Sequence, residues 1–154
     1  MAKLKKGYIQ IYTGNGKGKT TAALGQAIRA AGSKLKTFIV QFMKNHPYSE
    51  VMSLRELSQW ITMEQYGGDA FVYRKQPPGQ KDVRIAHEAL KRAKMAMLSG
   101  EFDIVILDEV CVAIYFGLLK TQEVLDLVVA KPETVELILT GRYCPEELVE
   151  KADL

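Results

Sequence analysis

Glycines and lysines cluster in a short stretch near the start of the chain, and this combination of residue types is suited to holding phosphate. Residues 12–26 read YTGNGKGKTTAALGQ. The usual phosphate-loop pattern is Gly, four residues, then Gly-Lys-Ser/Thr. The closing Gly18-Lys19-Thr20 is present, whereas position 13 is a threonine and the first glycine comes one residue late, at Gly14. The stretch therefore predicts a phosphate-binding loop of unusual spacing.

Each residue type in this loop has a physical task. Gly14, Gly16 and Gly18 let the backbone turn, so that its N–H groups come close to a phosphate. Lys17 and Lys19 supply positive charge, and the hydroxyl of the threonine that follows suits Mg²⁺. A glycine-rich turn without a ligand is the alternative, but the strand predicted before it and the helix predicted after it favour phosphate binding.

A second motif, DIVILDE at residues 103–109, is an apolar strand that ends in two acids. In phosphate-loop enzymes a strand of this kind ends beside the Mg²⁺ that accompanies the phosphates. We expect Asp108 or Glu109 to lie beside Thr20 and to bind metal directly or through water. The alternative is an acid pair that closes a strand at the surface, and the glycine loop upstream makes that interpretation the weaker one.

Alternating strands and helices are predicted along the chain, and they would bring the two motifs together. We predict strands at 8–12, 37–43, 60–66, 103–107 and 135–139, and helices at 19–31, 49–57, 81–98, 121–129 and after Pro145. Strands that are apolar on both faces and alternate with helices indicate a parallel sheet covered by helices. Ligands of such sheets lie at the carboxyl ends of the strands, where both motifs fall.

The bulk composition fits one ordinary domain over residues 1–154. Of the residues, 47% are apolar and 25% are charged, and the net charge is +3. So mild a charge argues against a nucleic-acid partner. Cys111 and Cys144 lack partners at metal spacing, which favours core cysteines of a reducing compartment over a redox pair. Without a bilayer-length apolar run or a signal-peptide core, we expect a cytoplasmic protein with no membrane partner.

Four segments together resemble the CobA/BtuR-type ATP:cob(I)alamin adenosyltransferases, also called corrinoid adenosyltransferases. They are TGNGKGKTTAA at 13–23, VQFMK at 40–44, DIVILDEV at 103–110 and LTGRYC at 139–144. They occur in the family's order and extend over nearly the whole chain. The loop GNGKGKTT, with its late glycine, is the family's own variant, so the unusual spacing indicates a loop shaped for a different nucleotide pose.

The resemblance implies a fold and a reaction. The fold would be a three-layer, RecA-like phosphate-loop α/β fold with a mostly parallel central sheet flanked by helices. In the reaction, Co(I) of a reduced corrinoid attacks the 5′ carbon of ATP and triphosphate leaves. Family members hold ATP reversed in the loop relative to ordinary NTPases. ATP with Mg²⁺ and a corrinoid are implied as substrates and cofactor, and a reducing flavoprotein such as flavodoxin and a homodimer as partners.

The resemblance also implies roles for individual residues. The protein supplies no nucleophile, and Lys17 and Lys19 stabilise the departing triphosphate. Metal would be held by Thr20 with Asp108 and Glu109. The residues implied to contact ATP are Thr13, Gly14, Asn15, Gly16, Lys17, Gly18, Lys19, Thr20, Thr21 and Arg142. For Arg142 the alternative is a surface arginine that pairs with Glu146 or Glu147.

A long connection at residues 67–80, GGDAFVYRKQPPGQ, is implied to cover the corrinoid. In the family an aromatic pair here crowds the lower face of the corrinoid and displaces its axial base, which eases reduction of Co(II). Phe71 and Tyr73 occupy the matching positions. Enterobacterial members have tryptophan in place of Tyr73, so an apolar wall is implied here, and the role of Tyr73 in axial displacement stays open. The alternative is that both rings pack the loop down.

Three other functions remain open from the sequence. A small-molecule kinase or NTPase on the same fold would release ADP. A RecA-type nucleic-acid-binding module would need a basic face with exposed aromatics. A third alternative is a carrier that has lost turnover through truncation, because members of the family continue past KADL into a final strand and a basic tail.

Overall fold

The computed structural model describes residues 4–68 and 77–154, which form a sheet with helices on both faces. The strands are β1 (Ile9–Tyr12), β2 (Thr37–Phe42), β3 (Ile61–Tyr66), β4 (Ile104–Asp108) and β5 (Glu136–Thr140). The helices are α1 (Lys19–Gly32), α2 (Ser49–Arg55), α3 (Gln80–Leu98), α4 (Val110–Tyr115), α5 (Thr121–Val129) and α6 (Glu146–Val149).

The five strands lie in the order β1-β5-β4-β2-β3, and every pair of neighbours is parallel. All residues of β2 and β4 are buried, as expected for central strands covered on both faces. Their register sets Gln41 opposite Asp108, while Leu107 lies opposite Leu139 of β5. The carboxyl ends of three central strands therefore meet at one edge of the sheet.

Two apolar cores lie on opposite faces of the sheet. Phe38 and Val40 of β2 contribute to one core, together with α3, α4 and α5. Ile39, between them, contributes to the other core with α1 and Leu54 of α2. Successive strand residues point to opposite faces, so one buried strand supplies both layers. This arrangement confirms the predicted three-layer α/β fold.

The predicted amphipathic stripe of α3 is largely correct. Ala86, Ala93 and Met97 are buried, while Val83 and Leu90 are partly buried against the same core. The small side chains let the helix lie close to β2 and β4. Most predicted elements differ from the observed ones by one or two residues at their ends. The one element that the sequence pattern missed is α4, a short helix that directly follows β4.

The two cysteines lie next to each other at the edge of the core formed with α3, α4 and α5. Cys111 is fully buried and Cys144 packs against that core, and neither is in a disulfide. A hydrogen bond with the thiol of Cys144 and burial both raise the pKa of Cys111. Cys111 is therefore a core residue and Cys144 lies beside the core, as expected from the sequence.

The last residues of the chain hydrogen bond to the outer edge of β1. The backbone N–H of Asp153 donates to the carbonyl of Ile9 over 2.8 Å, and that of Ile11 donates to the carbonyl of Leu154 over 3.0 Å. These bonds satisfy backbone groups that an edge strand would otherwise expose. Within residues 4–68 and 77–154, no helix is both long enough and apolar enough to cross a bilayer.

Candidate functional site

The glycine-rich loop connects β1 to α1 at the carboxyl edge of the sheet. Gly14 and Gly18 have φ angles of 119° and 100°, values that favour glycine because a Cβ would be strained there. No atom lies within 4 Å of the position that a Cβ would take at Gly14, Gly16 or Gly18. Backbone conformation therefore requires glycine at Gly14 and Gly18, and the space beside all three glycines is open to a ligand.

The amino terminus of α1 is prepared for an anion. Gly18 precedes the helix without a side-chain cap, and the first turn contains no acid. The N–H groups of the first turn are thus free of a capping side chain, and the helix dipole adds positive potential. The ammonium group of Lys19 donates a 2.5 Å hydrogen bond to the carbonyl of Gly16, which holds its charge over the loop.

Asp108 is the centre of a hydrogen-bond network that joins four elements. Its Oδ1 accepts from the hydroxyls of Thr20 at 2.8 Å and Thr140 at 2.7 Å. Its Oδ2 accepts from Gln41 Nε2 at 3.1 Å and from Lys44 Nζ at 3.0 Å. Asp108 is fully buried, and these four donors compensate the loss of water around its charge. Of the two acids expected beside Thr20, Asp108 is the one that accepts its hydroxyl hydrogen.

Glu109 lies beside this network and faces the open site. Its backbone N–H donates to the hydroxyl of Thr140 over 3.0 Å, which connects it to Asp108. Burial raises the pKa of the Glu109 carboxyl, the negative charge of Asp108 raises it further, and nearby cations including Lys44 oppose the rise. The two acids therefore occupy different environments, one saturated with donors and one facing a cavity.

Backbone strain is concentrated at this edge of the sheet. Four non-glycine residues have a positive φ within residues 4–68 and 77–154, and three of them lie at this edge. Met43 (61°) directly follows β2, Glu109 (67°) directly follows β4, and Tyr143 (60°) lies three residues after β5. Such conformations cost roughly 1–2 kcal/mol per residue outside glycine and tend to persist at functional sites. The strain marks the same edge as the glycine loop and the acids.

A cavity of about 510 Å³ opens between the loop and the end of β5. Its lining combines basic and polar residues, including the start of α1, with apolar and aromatic side chains. The lining residues are Gly18, Lys19, Thr20, Thr21, Lys44, Glu109, Val112, Phe116, Arg142 and Tyr143. Such a cavity suits a ligand that has a polyanion at one end and a flat apolar group at the other.

A second cavity, of about 470 Å³, adjoins the first between α1 and α2. It shares Thr20, Thr21 and Lys44 with the first cavity and continues along Leu24 and Ile28. Lys44 therefore lies between two open spaces while its ammonium group pairs with Asp108. A cavity between α2 and β3 is lined by Val51, Met63 and neighbouring residues and contains none of the loop residues.

The structure brings together most of the predicted site residues. Gly18, Lys19, Thr20, Thr21, Glu109 and Arg142 line the first cavity, and Thr13, Gly14, Asn15, Gly16 and Lys17 lie exposed in the loop beside it. The Thr13 hydroxyl donates to the carbonyl of Gly141 over 2.7 Å, which ties the loop to the end of β5. Phe71 and Tyr73 lie outside the described residues.

Arg142 lines the first cavity and is exposed. In the part of the chain that the structure describes, the ion pairs join Lys44 to Asp108, His87 to Glu123 and Arg92 to Glu64. The alternative pairing of Arg142 with Glu146 or Glu147 is therefore not observed, and its guanidinium remains available to a ligand.

Sequence reasoning missed several residues of this site. Gln41 and Thr140 are buried polar side chains that interrupt apolar strands close to their carboxyl ends, and that interruption is the signal that could have identified them. Lys44 lies in the VQFMK segment, which was used for the resemblance but given no role. Phe116 and Tyr143 gave no signal, because nothing in their local pattern separates them from core aromatics.

The sheet is parallel, a glycine-rich loop joins its first strand to its first helix, and the hydrogen-bond network of Asp108 lies at the end of β4. This is the architecture of RecA-like phosphate-loop proteins. Comparison with known families narrows this class. A family model described as ATP:corrinoid adenosyltransferase BtuR/CobO/CobP matches residues 5–154. The chain belongs to this family.

Individual relatives agree with the family match. The corrinoid adenosyltransferase of Escherichia coli K12 is 34% identical over 151 residues, which cover 97% of this chain and 74% of the relative. The corrinoid adenosyltransferase CobA of Salmonella typhimurium is 32% identical over 154 residues, 99% of this chain and 76% of the relative. A corrinoid adenosyltransferase of Pseudomonas aeruginosa is 30% identical over 153 residues, 99% of this chain and 74% of the relative.

Proposed function

We propose that the protein transfers the 5′-deoxyadenosyl group of ATP to the Co(I) centre of a reduced corrinoid. The electron pair of Co(I) forms the bond to C5′, the bond from C5′ to the α-phosphate oxygen breaks, and triphosphate leaves with the electron pair of that broken bond. Family membership supports the reaction class. The observation that carries it to this site is the cavity that the end of the anion-binding loop lines together with apolar and aromatic side chains.

The chain's own residues act on the leaving group. Loop N–H groups, Lys17 and Lys19 bind the triphosphate, and Arg142 adds a third positive charge at the cavity. Charge that develops on a leaving polyanion is stabilised best by groups already in position. Lys44 is held in place by Asp108 at 3.0 Å, so we add it to the residues that neutralise the triphosphate.

The residues at the end of β4 fit a magnesium ion that also binds phosphate. Magnesium sites of this kind use one or two carboxylates and substrate phosphates, and no cluster of three acidic, histidine or cysteine ligands is found within residues 4–68 and 77–154. Thr20 and Glu109 would hold the ion. The Thr20 hydroxyl donates its hydrogen to Asp108, so the lone pairs of the Thr20 oxygen are left for the metal ion. When bound, Mg²⁺ supplies charge that stabilises the triphosphate.

The corrinoid is proposed to approach from the segment that follows β3. Phe71 and Tyr73 are kept as its apolar wall, as the resemblance implies. The described residues before that segment support the placement: a Cβ at Gly67 would lie 2.6 Å from the backbone nitrogen of Lys44. The segment therefore leaves the sheet directly beside a residue of the first cavity.

The remaining parts of the proposal follow the family resemblance. The protein works as a homodimer in the cytoplasm, and a reducing flavoprotein such as flavodoxin delivers the electron that yields Co(I). Residues 1–154 form a single nucleotide-binding and adenosyltransferase domain. A kinase or NTPase is not favoured, because the family is one of adenosyltransferases.

Analysis of the phosphate product tests the reaction class. Purified protein would be incubated anaerobically with ATP, Mg²⁺ and chemically reduced cobalamin, and the released phosphates separated by ion-exchange chromatography. We expect inorganic triphosphate in proportion to adenosylated corrinoid. Release of ADP with an unchanged corrinoid would overturn the proposal in favour of an NTPase.

A further inference from the structure

Two tyrosines from different elements stack on each other at the rim of the first cavity. The rings of Tyr115, at the end of α4, and Tyr143, after β5, have centroids 4.0 Å apart and an interplanar angle of 23°. Both are unusually open for large aromatic residues, with exposed fractions of 57% and 49%. A stacked pair that stays exposed does not contribute to a core, so its arrangement needs another reason.

The pair continues into the wall of the cavity. Phe116 packs edge-on against Tyr115, with centroids 5.2 Å apart and an interplanar angle of 81°. Phe116 and Tyr143 both line the cavity, and so does Arg142, which directly precedes Tyr143. Tyr115 contacts both Phe116 and Tyr143 and so joins them into one aromatic surface, which lines the same cavity as the start of α1.

Tyr143 is an unexpected residue type at its position. Its φ of 60° is left-handed, a conformation that glycine and asparagine adopt with less strain than tyrosine. Its ring lies outside both apolar cores. Neither backbone conformation nor core packing accounts for the aromatic ring, whereas a ligand that stacks on it would.

The chemistry of the cavity indicates what that ligand is. The loop and the start of α1 take the polyanion, so the aromatic surface faces the other end of a bound nucleotide. A purine is planar and aromatic, and bases stack readily on exposed tyrosine rings. A corrin ring is puckered and carries substituents on both faces, so it cannot stack closely on the same ring.

We propose that Tyr143 is the stacking platform for the adenine base of ATP and that Tyr115 positions it from behind. The inference rests on the proposed function and deepens it, because it assigns the base-binding part of the site. It also gives the nucleotide a direction within the cavity that both residues line, with triphosphate at Lys19 and adenine at Tyr143.

Calorimetric titration with two ligands tests this assignment. ATP and inorganic triphosphate, each with Mg²⁺, would be titrated into the wild type and into Tyr143→Asn, which removes the ring and suits a left-handed backbone. We expect the Kd for ATP to rise about 5- to 150-fold, corresponding to roughly 1–3 kcal/mol for one stacked base. The Kd for triphosphate should stay within about twofold, because that ligand has no base.

Two further variants separate stacking from other effects. Tyr143→Phe keeps the ring and should bind ATP like the wild type, and Tyr115→Ala should weaken ATP binding less than Tyr143→Asn does. Equal weakening of both ligands by Tyr143→Asn, an unchanged Kd for ATP, or an effect on the KM for corrinoid alone would overturn the inference.

The product assay keeps this inference distinct from the proposed function. If wild type releases triphosphate but Tyr143→Asn binds ATP normally, only the adenine platform is wrong. If Tyr143→Asn loses ATP affinity selectively but the wild type releases ADP, the platform stands and the transfer reaction is wrong.

Discussion

The hydroxyl of Thr20, in the first turn of α1, donates a 2.8 Å hydrogen bond to the carboxylate of Asp108 at the end of β4. This bond ties the first turn of α1 to the sheet. Groups that are held in position in this way lower the cost of placing charges around a leaving group.

The two acids at the end of β4 should respond differently to neutralisation. Asp108→Asn places an amide NH₂ among four donors, so we expect a loss of about 1–3 kcal/mol in the free energy of unfolding. Burial already raises the pKa of the Glu109 carboxyl, so removing its charge should cost little. The free energy of unfolding of Glu109→Gln should therefore stay close to that of the wild type. Urea unfolding without Mg²⁺ measures both.

Turnover at varied Mg²⁺ completes the comparison. Both variants should need more Mg²⁺ than the wild type, Glu109→Gln by loss of a ligand and Asp108→Asn by loss of the group that orients Thr20. A Glu109→Gln protein as destabilised as Asp108→Asn would contradict the different environments assigned to the two carboxylates.

Lys19 should contribute mainly to the transition state. Replacing it by methionine keeps the length of the side chain and removes the charge. Loss of one donor to a developing negative charge typically costs about 10²–10³ in rate, so we expect kcat/KM for ATP to fall by that factor. Lys94→Met, on the exposed side of α3, is the matched control and should turn over normally. Similar activity in the two variants would remove Lys19 from the mechanism.

His87 should make stability depend on pH. Its Nδ1 donates to the carbonyl of Val83 and its Nε2 lies 2.8 Å from Oε1 of Glu123. The bond to Val83, and then the contact with Glu123, raise the pKa of His87. Protonation is thus tighter in the folded state, so the stabilisation is present below the ordinary value of about 6.5 and is lost as the pH rises through the raised pKa.

Urea unfolding between about pH 5 and 8 measures this effect. His87→Gln should be less stable than the wild type at the acidic end by under about 1 kcal/mol, because the pair is exposed, and the difference should shrink as the pH rises. Glu123→Gln should retain only part of the pH dependence. A difference that grows with pH would show that the sign is wrong.

Two glycines should respond to alanine in opposite directions. A Cβ at Gly7 would lie 2.1 Å from the carbonyl carbon of Val135, so Gly7→Ala must displace backbone and should cost about 1–3 kcal/mol. Gly25 lies inside α1 with no atom within 4 Å of such a Cβ, so Gly25→Ala should stabilise by about 0.5–1 kcal/mol. Shifts of the urea midpoint in the same direction would contradict this packing.

The sequence predicted the sheet and its active edge because periodicity and motif report local physics. Buried parallel strands are apolar on both faces, and glycine loops and terminal acids lie at their ends, so the approach of Thr20 to Asp108 followed. The short helix α4 was missed because its six residues continue the apolar pattern of β4, and too few turns exist for a helical period to appear.

Contacts between distant residues outside the two motifs were not predictable. Lys44 pairs with Asp108 and Tyr143 stacks on Tyr115 because the register of β2, β4 and β5 brings their ends together. No local pattern encodes such pairs. The left-handed backbone of Tyr143 was also hidden, since a tyrosine gives no sign that it takes a position favourable to glycine.

Transfer of labelled carbon tests the central claim most directly. The protein would be supplied anaerobically with chemically reduced cobalamin, Mg²⁺ and ATP labelled with ¹³C at C5′, and the corrinoid would be examined by carbon NMR and mass spectrometry. We predict that the label appears in the corrinoid as the carbon bonded to cobalt, and that Lys19→Met slows its appearance. Label that stays in ADP or adenosine while the corrinoid remains unlabelled would contradict the account.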